Sequence, residues 1–233
     1  MQLLHNQSFL LALKNTVCFM GIAIPLLMLF SLLIAALMNY LGKAGKVIGG
    51  ILLIPMIVPI ASITKVWQIA FADQGMVNGI LSAAGMETQN FFKGNWAFII
   101  VVLIFLWKNC GYLALIYSVA LSNIPTECIE AARLDGGGRI KIFVKVVVPL
   151  LNPASFFVLL LSIINSFKIF REVFLLTGEY PDTAIYFVQH YMNNNFYNLN
   201  YQKLSTASVI LSAFIILIVA VVYSRERKSV HME

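Results

Sequence analysis

The sequence predicts an all-α protein: a polytopic helical bundle that spans a membrane. Three observations carry this prediction. Of the 233 residues, 60% are hydrophobic and only 11% are charged, where an ordinary soluble domain carries about 25% charged residues. Mean hydropathy is +0.86. Segments 17–37 and 204–223 run 21 and 20 residues without a charge, and about 20 apolar residues cross a bilayer. A disordered tail, a coiled coil and a soluble globular domain are thereby excluded. Five spans would use roughly 100 residues, so one transmembrane domain over 1–233 is expected, with no second large soluble domain.

The spans at 17–37 and 204–223 are the cleanest. A span over 47–71 begins with an uncharged stretch that contains Pro55 and Pro59; such prolines are tolerated where neighbours satisfy the freed carbonyls. A span over 96–120 carries Lys108 and Asn109 near its middle. A span over 153–176 carries Lys168, Arg171 and Glu172 in its second half. The first 13 residues contain no Lys or Arg, so the basic start of a signal peptide is missing.

Basic residues outside the spans divide unequally. Segments 40–46, 122–152 and 224–233 hold nine; segments 1–16, 72–95 and 177–203 hold Lys14, Lys93 and Lys203. The excess predicts that 122–152 and the C-terminus lie in the cytoplasm of a plasma-membrane protein. Five spans then place the N-terminus outside. The simplest expectation is that an earlier helix is missing from the chain; a true five-span protein is the rival. The formal net charge of +6 is read as loop charge that sets orientation, with lipid as the neighbour and no nucleic acid. Cys18, Cys110 and Cys128 are scattered, with no disulfide framework or metal spacing. His5, His190 and His231 fall outside the spans and suggest no catalysis; no cofactor is expected. Segment 177–203 is polar and aromatic, suited to short helices that form either a docking surface or a solvated cap.

Segment 122–152 is far longer than a connection between spans requires. Pro125 suits a helix first turn, and Glu127 and Glu130 lie near its positive end. Ile124, Ile129, Ala132 and Leu134 are expected to make apolar contacts. Gly136, Gly137 and Gly138 permit a sharp turn. A second helix is expected from Arg139 to about Val147, with Ile140, Phe143 and Val147 on one side, and Pro149 and Pro153 punctuate the approach to the next span. This helix–corner–helix reads either as an interfacial segment on anionic headgroups or as a knob for a partner.

Glu130-Ala131-Ala132, three residues, Gly136, and then Pro149 resemble the E-A-A loop of binding-protein-dependent ABC importer permeases, with Val146 and Val148 where that family carries Ile and Leu. Asp135-Gly136 is similar to the D-G-A of its carbohydrate branch, with Gly137 in place of Ala; the extra glycines are expected to loosen the corner. Leu13-Lys14-Asn15-Thr16, Pro55 and Pro59, Trp67 with Gly75, Asn78 and Gly79, and Ser166-Phe167-Lys168-Ile169-Phe170 with Leu176-Thr177-Gly178, Pro181 and Thr183 resemble further family pieces, in order along nearly the whole chain. Family members usually have one more N-terminal helix. The resemblance implies a type I importer permease fold and a second permease subunit. It also implies two ATP-binding cassette subunits engaged by the loop and an extracytoplasmic solute-binding protein that delivers a polar solute such as a carbohydrate. Coupling would rest on Glu130, Ala131, Ala132, Asp135, Gly136 and Pro149, with Glu130 the register-fixing charge, Gly136 the corner and Asp135 a candidate cap. The chain has no phosphate-binding loop, so ATP hydrolysis is assigned to a partner and the chain is not read as an enzyme.

A charge at mid-membrane costs roughly 2.5–3.5 kcal/mol on the insertion scale. Lys65 and Arg171 lie near span ends and are expected to snorkel. Lys108 and Asn109 lie deeper, where a solute path or helix pairing would use them. Asn165 and Lys168 are further path candidates, with interhelical bonding the alternative for Asn165. Trp107 and Tyr112 suit either sugar stacking or packing. Glu172 is expected to neutralise Arg171, or Lys168 four residues earlier. An ATP-independent carrier or channel is the alternative function; it has no need of the long loop.

Overall fold

The computed structural model describes residues 5–230, so His231 lies outside it. Among the described residues every regular element is helical. The long helix α1 (Gln7–Leu41) starts where the Asn6 side chain accepts a hydrogen bond from the Phe9 amide, a standard N-cap. At 35 residues it is about 52 Å long, more than a bilayer core requires. It ends at Gly42.

The next segment is not one rod. α2 (Lys43–Leu52), α3 (Ile54–Ile57) and α4 (Ile60–Ala70) follow, and the chain bends by 93° between α3 and α4. The span expected over 47–71 is thus a bent pair of helical segments, apolar enough together to form one broken span or a re-entrant loop. The cause of the bend is local: the residue before a proline is pushed out of helical geometry, and Val58, just before Pro59, is extended at φ −67°, ψ 137°. α5 (Met76–Ala83) closes a short turn whose buried Asn78 donates to the carbonyls of Ala72 and Gln89 and accepts from the Gln89 amide.

α6 (Gly94–Ser122) is the central helix and packs along α1 for much of its length. Phe19, Ala23, Leu27 and Ala35 of α1 meet Val101, Phe105, Leu113 and Ala114 of α6 in the main core. Alanines let the backbones approach, as membrane helices require when burial in lipid supplies no hydrophobic drive. Gly111 extends the same logic: a Cβ there would overlap the Leu52 carbonyl. The end of α2 therefore lies directly on α6.

α7 (Thr126–Leu134), α8 (Arg139–Ile142), a π turn (Phe143–Val147) and α9 (Val148–Leu150) form an elbow, followed by α10 (Asn152–Lys168) and α11 (Phe170–Thr177). Asn152–Thr177 is apolar enough to count as one candidate span, alongside α1, α6 and the first part of α13 (Tyr201–Val230). Segment 177–203 contains a 3-10 turn (Thr183–Ile185) and α12 (Val188–Tyr197). It is more than a solvated cap, since Ile185, Phe187, Val188 and Tyr191 are buried. Asn15 donates to the carbonyls of Thr183 and Tyr186, and Thr16 Oγ1 accepts from the Val188 amide. Those two polar residues tie the start of α1 to this cap.

Candidate functional site

Two features stand out, and each is built differently. The elbow is built by neighbours in sequence. α7 follows Pro125 and buries none of its residues. It closes with a paired cap: the Gly136 amide donates to the Arg133 carbonyl and the Gly137 amide to the Ala132 carbonyl, both at 3.0 Å. This is the Schellman arrangement, which needs a left-handed residue, and Gly136 supplies it at φ +75°. The adjacent glycine does not loosen the corner. A Cβ on Gly137 would come within 2.6 Å of the Ala132 carbonyl oxygen and 3.0 Å of Ile142 Cγ1, so the tight turn requires its absence.

Asp135 sits at a cap position, but of the end of α7, and through its backbone amide, which donates to Ala131. α8 begins at Gly138 with no side-chain cap. The second helix is not the simple one expected over 139–147, because its turn over 143–147 widens to π geometry. Pro149 explains the widening: it has no amide for the carbonyl four residues back, and its ring crowds that position. Apolar residues also differ from expectation. Ile142 and Val147 are buried, whereas Leu134 is 90% exposed and Ile140 81%. Glu130 and Ala131 are exposed and Ala132 is half-buried. The elbow thus presents Glu130 and two large bare aliphatics away from the bundle.

The second feature is assembled across the fold. A cavity of about 240 Å³ lies where α6, the α10–α11 junction and the bent α3–α4 segment meet. Lys108, Asn109, Asn165 and Lys168 all line it, with Arg171 and Glu172. Lys108 forms an ion pair with Glu172, whose side chain is only 3% exposed. Glu172 is therefore not the local partner of Arg171 or Lys168, because α11 turns its carboxylate toward α6. Glu172 Oε2 is buried with no hydrogen-bond partner among the described residues. The Asn165 amide donates to the Tyr112 hydroxyl, joining α10 to α6, while Asn109 donates to the Phe105 carbonyl one turn back at 2.7 Å.

Trp107 is not in this group. It is one residue before Lys108 and so faces another side of α6, where it meets Trp67 edge-on at 5.7 Å. Lys65, by contrast, is exposed and donates to Gln68 Oε1 at 3.0 Å. Glu172 is the site residue that sequence reasoning assigned to the wrong partner. The available signal was that Lys108 and Glu172 are both ionisable groups inside apolar spans, where such groups usually pair.

The family described as binding-protein-dependent transport system inner membrane component matches residues 27–226. YurN of Bacillus subtilis (strain 168), a probable ABC transporter permease protein, is 29% identical over 189 residues, covering 78% of this chain and 65% of that protein. The chain thus spans just under two thirds of that relative's length. UgpA of Yersinia pestis bv. Antiqua (strain Antiqua), an sn-glycerol-3-phosphate transport system permease protein, is 28% identical over 221 residues, covering 92% of this chain and 74% of UgpA. A crystal structure of a bacterial ABC transporter involved in the import of the acidic polysaccharide alginate superposes at a TM-score of 0.87. That match has 20% identity and covers 97% of this chain and 82% of the other, which speaks for the fold. With six sevenths of its length matched, the chain belongs to the family of binding-protein-dependent transport system inner membrane components.

Proposed function

We propose that this chain is the membrane-spanning permease subunit of an ATP-driven importer for a sugar or related polar solute. It works with a second permease subunit, two ATP-binding subunits and an extracytoplasmic solute-binding protein. The elbow and the C-terminus face the cytoplasm of the plasma membrane, as the basic residues of 40–46, 122–152 and 224–233 favour.

The observation that carries this reading is the bare elbow. Leu134 and Ile140 are almost fully exposed on a segment with a rigid cap and no buried residue in α7. Exposed aliphatics beside a charge are the composition of a surface that a partner covers. A capped corner moves as a unit, so a push on α7 reaches α10 through α8, the π turn and α9. Glu130 fixes register on the ATP-binding subunit, Gly136 the angle, and Ala131 and Ala132 allow close seating. Asp135 adds a second charge at the corner, and Pro149 places the π turn that leads into α10. Lys108, Asn109, Asn165 and Lys168 line the solute path, with Glu172 as the fixed counter-charge.

The test is co-purification with the ATP-binding subunit. The wild-type chain retains it, while Gly136→Pro and Glu130→Lys insert normally but lose capture and solute uptake. Normal capture and uptake in both variants would overturn the coupling assignment.

A further inference from the structure

We propose that the membrane cavity takes a solute that carries both an anionic group and hydroxyls, the chemical class of phosphorylated or carboxylated sugars and polyols. The proposal rests on the permease reading above and names the solute class of that site. The charge balance is the first argument. Three cations, Lys108, Lys168 and Arg171, line one small cavity against a single carboxylate, Glu172. Lys108 is the central residue of α6, about 21 Å from either end, and Glu172 already neutralises it. Lys168 and Arg171 flank the break at Ile169 and form no ion pair with any described residue. Both side chains are exposed at the cavity rim, but their stretch of chain is an apolar span, where two positive charges without a counter-ion are costly. An anion entering between them removes that cost, and a neutral sugar leaves it in place.

The second argument is the orphaned acceptor. Glu172 is 2% exposed, lines the cavity, and has one oxygen on Lys108 and the other without a partner. A buried carboxylate oxygen is a strong acceptor, and leaving it unmet is expensive. A hydroxyl donor on the solute satisfies it; a simple inorganic anion without a donor does not. The cavity, at about 240 Å³, is below the roughly 300 Å³ at which drug-sized sites begin, so the part of the solute held here is small. Snorkelling to headgroups is the competing use of Lys168 and Arg171. It ties both side chains to lipid and makes no distinction between anionic and neutral solutes.

The experiment uses the complete importer in vesicles, with uptake measured for matched pairs: glucose and glucose 6-phosphate, glucose and glucuronate, glycerol and glycerol 3-phosphate. The expected result is ATP-dependent uptake of an anionic member over its neutral partner. Joint Lys168→Gln and Arg171→Gln substitution should lower that uptake by about tenfold to a hundredfold, the loss of one or two charge-assisted bonds. Lys168→Arg with Arg171→Lys, which keeps both charges, should retain most of it and shows that the altered chains still assemble. Uptake of a neutral member that the Gln variant leaves unchanged overturns the proposal. So does an equal loss for neutral and anionic solutes, the mark of lipid anchoring. Stimulated ATP hydrolysis without uptake of any anion in the panel overturns this proposal alone. A complex with no ATP hydrolysis coupled to the solute-binding protein overturns the permease reading and this proposal with it.

Discussion

The elbow and the membrane cavity are opposite kinds of structure. The elbow is made from consecutive residues, held by hydrogen bonds that reach no further than five positions along the chain. It leaves Leu134 and Ile140 outside. The cavity is made from α6, α10, α11 and the bent α3–α4 segment, and its key contact joins residues 64 positions apart. It turns the Lys108–Glu172 ion pair inward and leaves Lys168 and Arg171 exposed at its rim. Under the proposed function, the difference teaches that the part that moves against a partner is specified locally and left uncovered. On the same reading, the part that holds a solute is specified by packing between distant elements.

Gly136→Pro attacks the elbow most directly and has the largest expected effect. Proline cannot adopt φ +75° and has no amide to donate to Arg133, so uptake should fall to background while the chain still inserts. Uptake at wild-type level would show that the corner is not a mechanical part.

Glu172→Ala attacks the cavity. It leaves Lys108 unpaired inside the membrane, at an expected cost of about 3 kcal/mol, the low end for breaking a buried pair. A lowered melting temperature in detergent checks this. The double variant Lys108→Ala, Glu172→Ala should recover part of the loss; additive losses would remove the coupling. For transport, Lys108→Ala should matter more than Lys65→Ala, because the exposed Lys65 reaches only its half-buried neighbour Gln68.

A third element sharpens the contrast, since His190 is also made by tertiary burial. It is fully enclosed beside Phe170, Tyr186 and Phe187, and burial lowers its pKa from 6.5 to about 4. A histidine that protonates less readily when folded stabilises the fold above its unfolded pKa. That contribution is lost as pH falls from 6.5 toward 4, at a slope of up to about 1.4 kcal/mol per unit. His190→Phe should flatten the pH dependence of melting over that interval; an unchanged slope would show that another group titrates there. Gly137→Ala is the smallest perturbation. Its Cβ meets Ala132 at 2.6 Å, so a destabilisation of about 1–2 kcal/mol, within the usual range for overpacking, should appear as a several-fold loss of uptake without loss of insertion.

The helices and the elbow were legible because their causes are short-ranged. Uncharged runs of span length mark helices in lipid, and proline, glutamate and glycine mark the ends of α7. The 93° bend was foreshadowed by Pro55 and Pro59, but its size and its place at Val58 came only from the structure. The outward faces of Leu134 and Ile140 were not legible, since apolar residues beside a bundle are normally expected to pack against it. Trp107 was a candidate for sugar stacking, yet consecutive helical residues point about 100° apart, so it lies on a different side of α6 from Lys108 and packs on Trp67.

Composition, hydrophobic run length and the spacing of Glu130, Gly136 and Pro149 were enough by themselves to specify a membrane bundle with a long helical elbow, because bilayer thickness and helix capping act on contiguous residues. Only the tertiary structure decided that Glu172 answers Lys108, that Asn165 reaches Tyr112 and that Lys168 and Arg171 share their cavity. Pairing between helices depends on how each is rotated about its axis and how closely it approaches its neighbour, and small residues such as Gly111 set those distances.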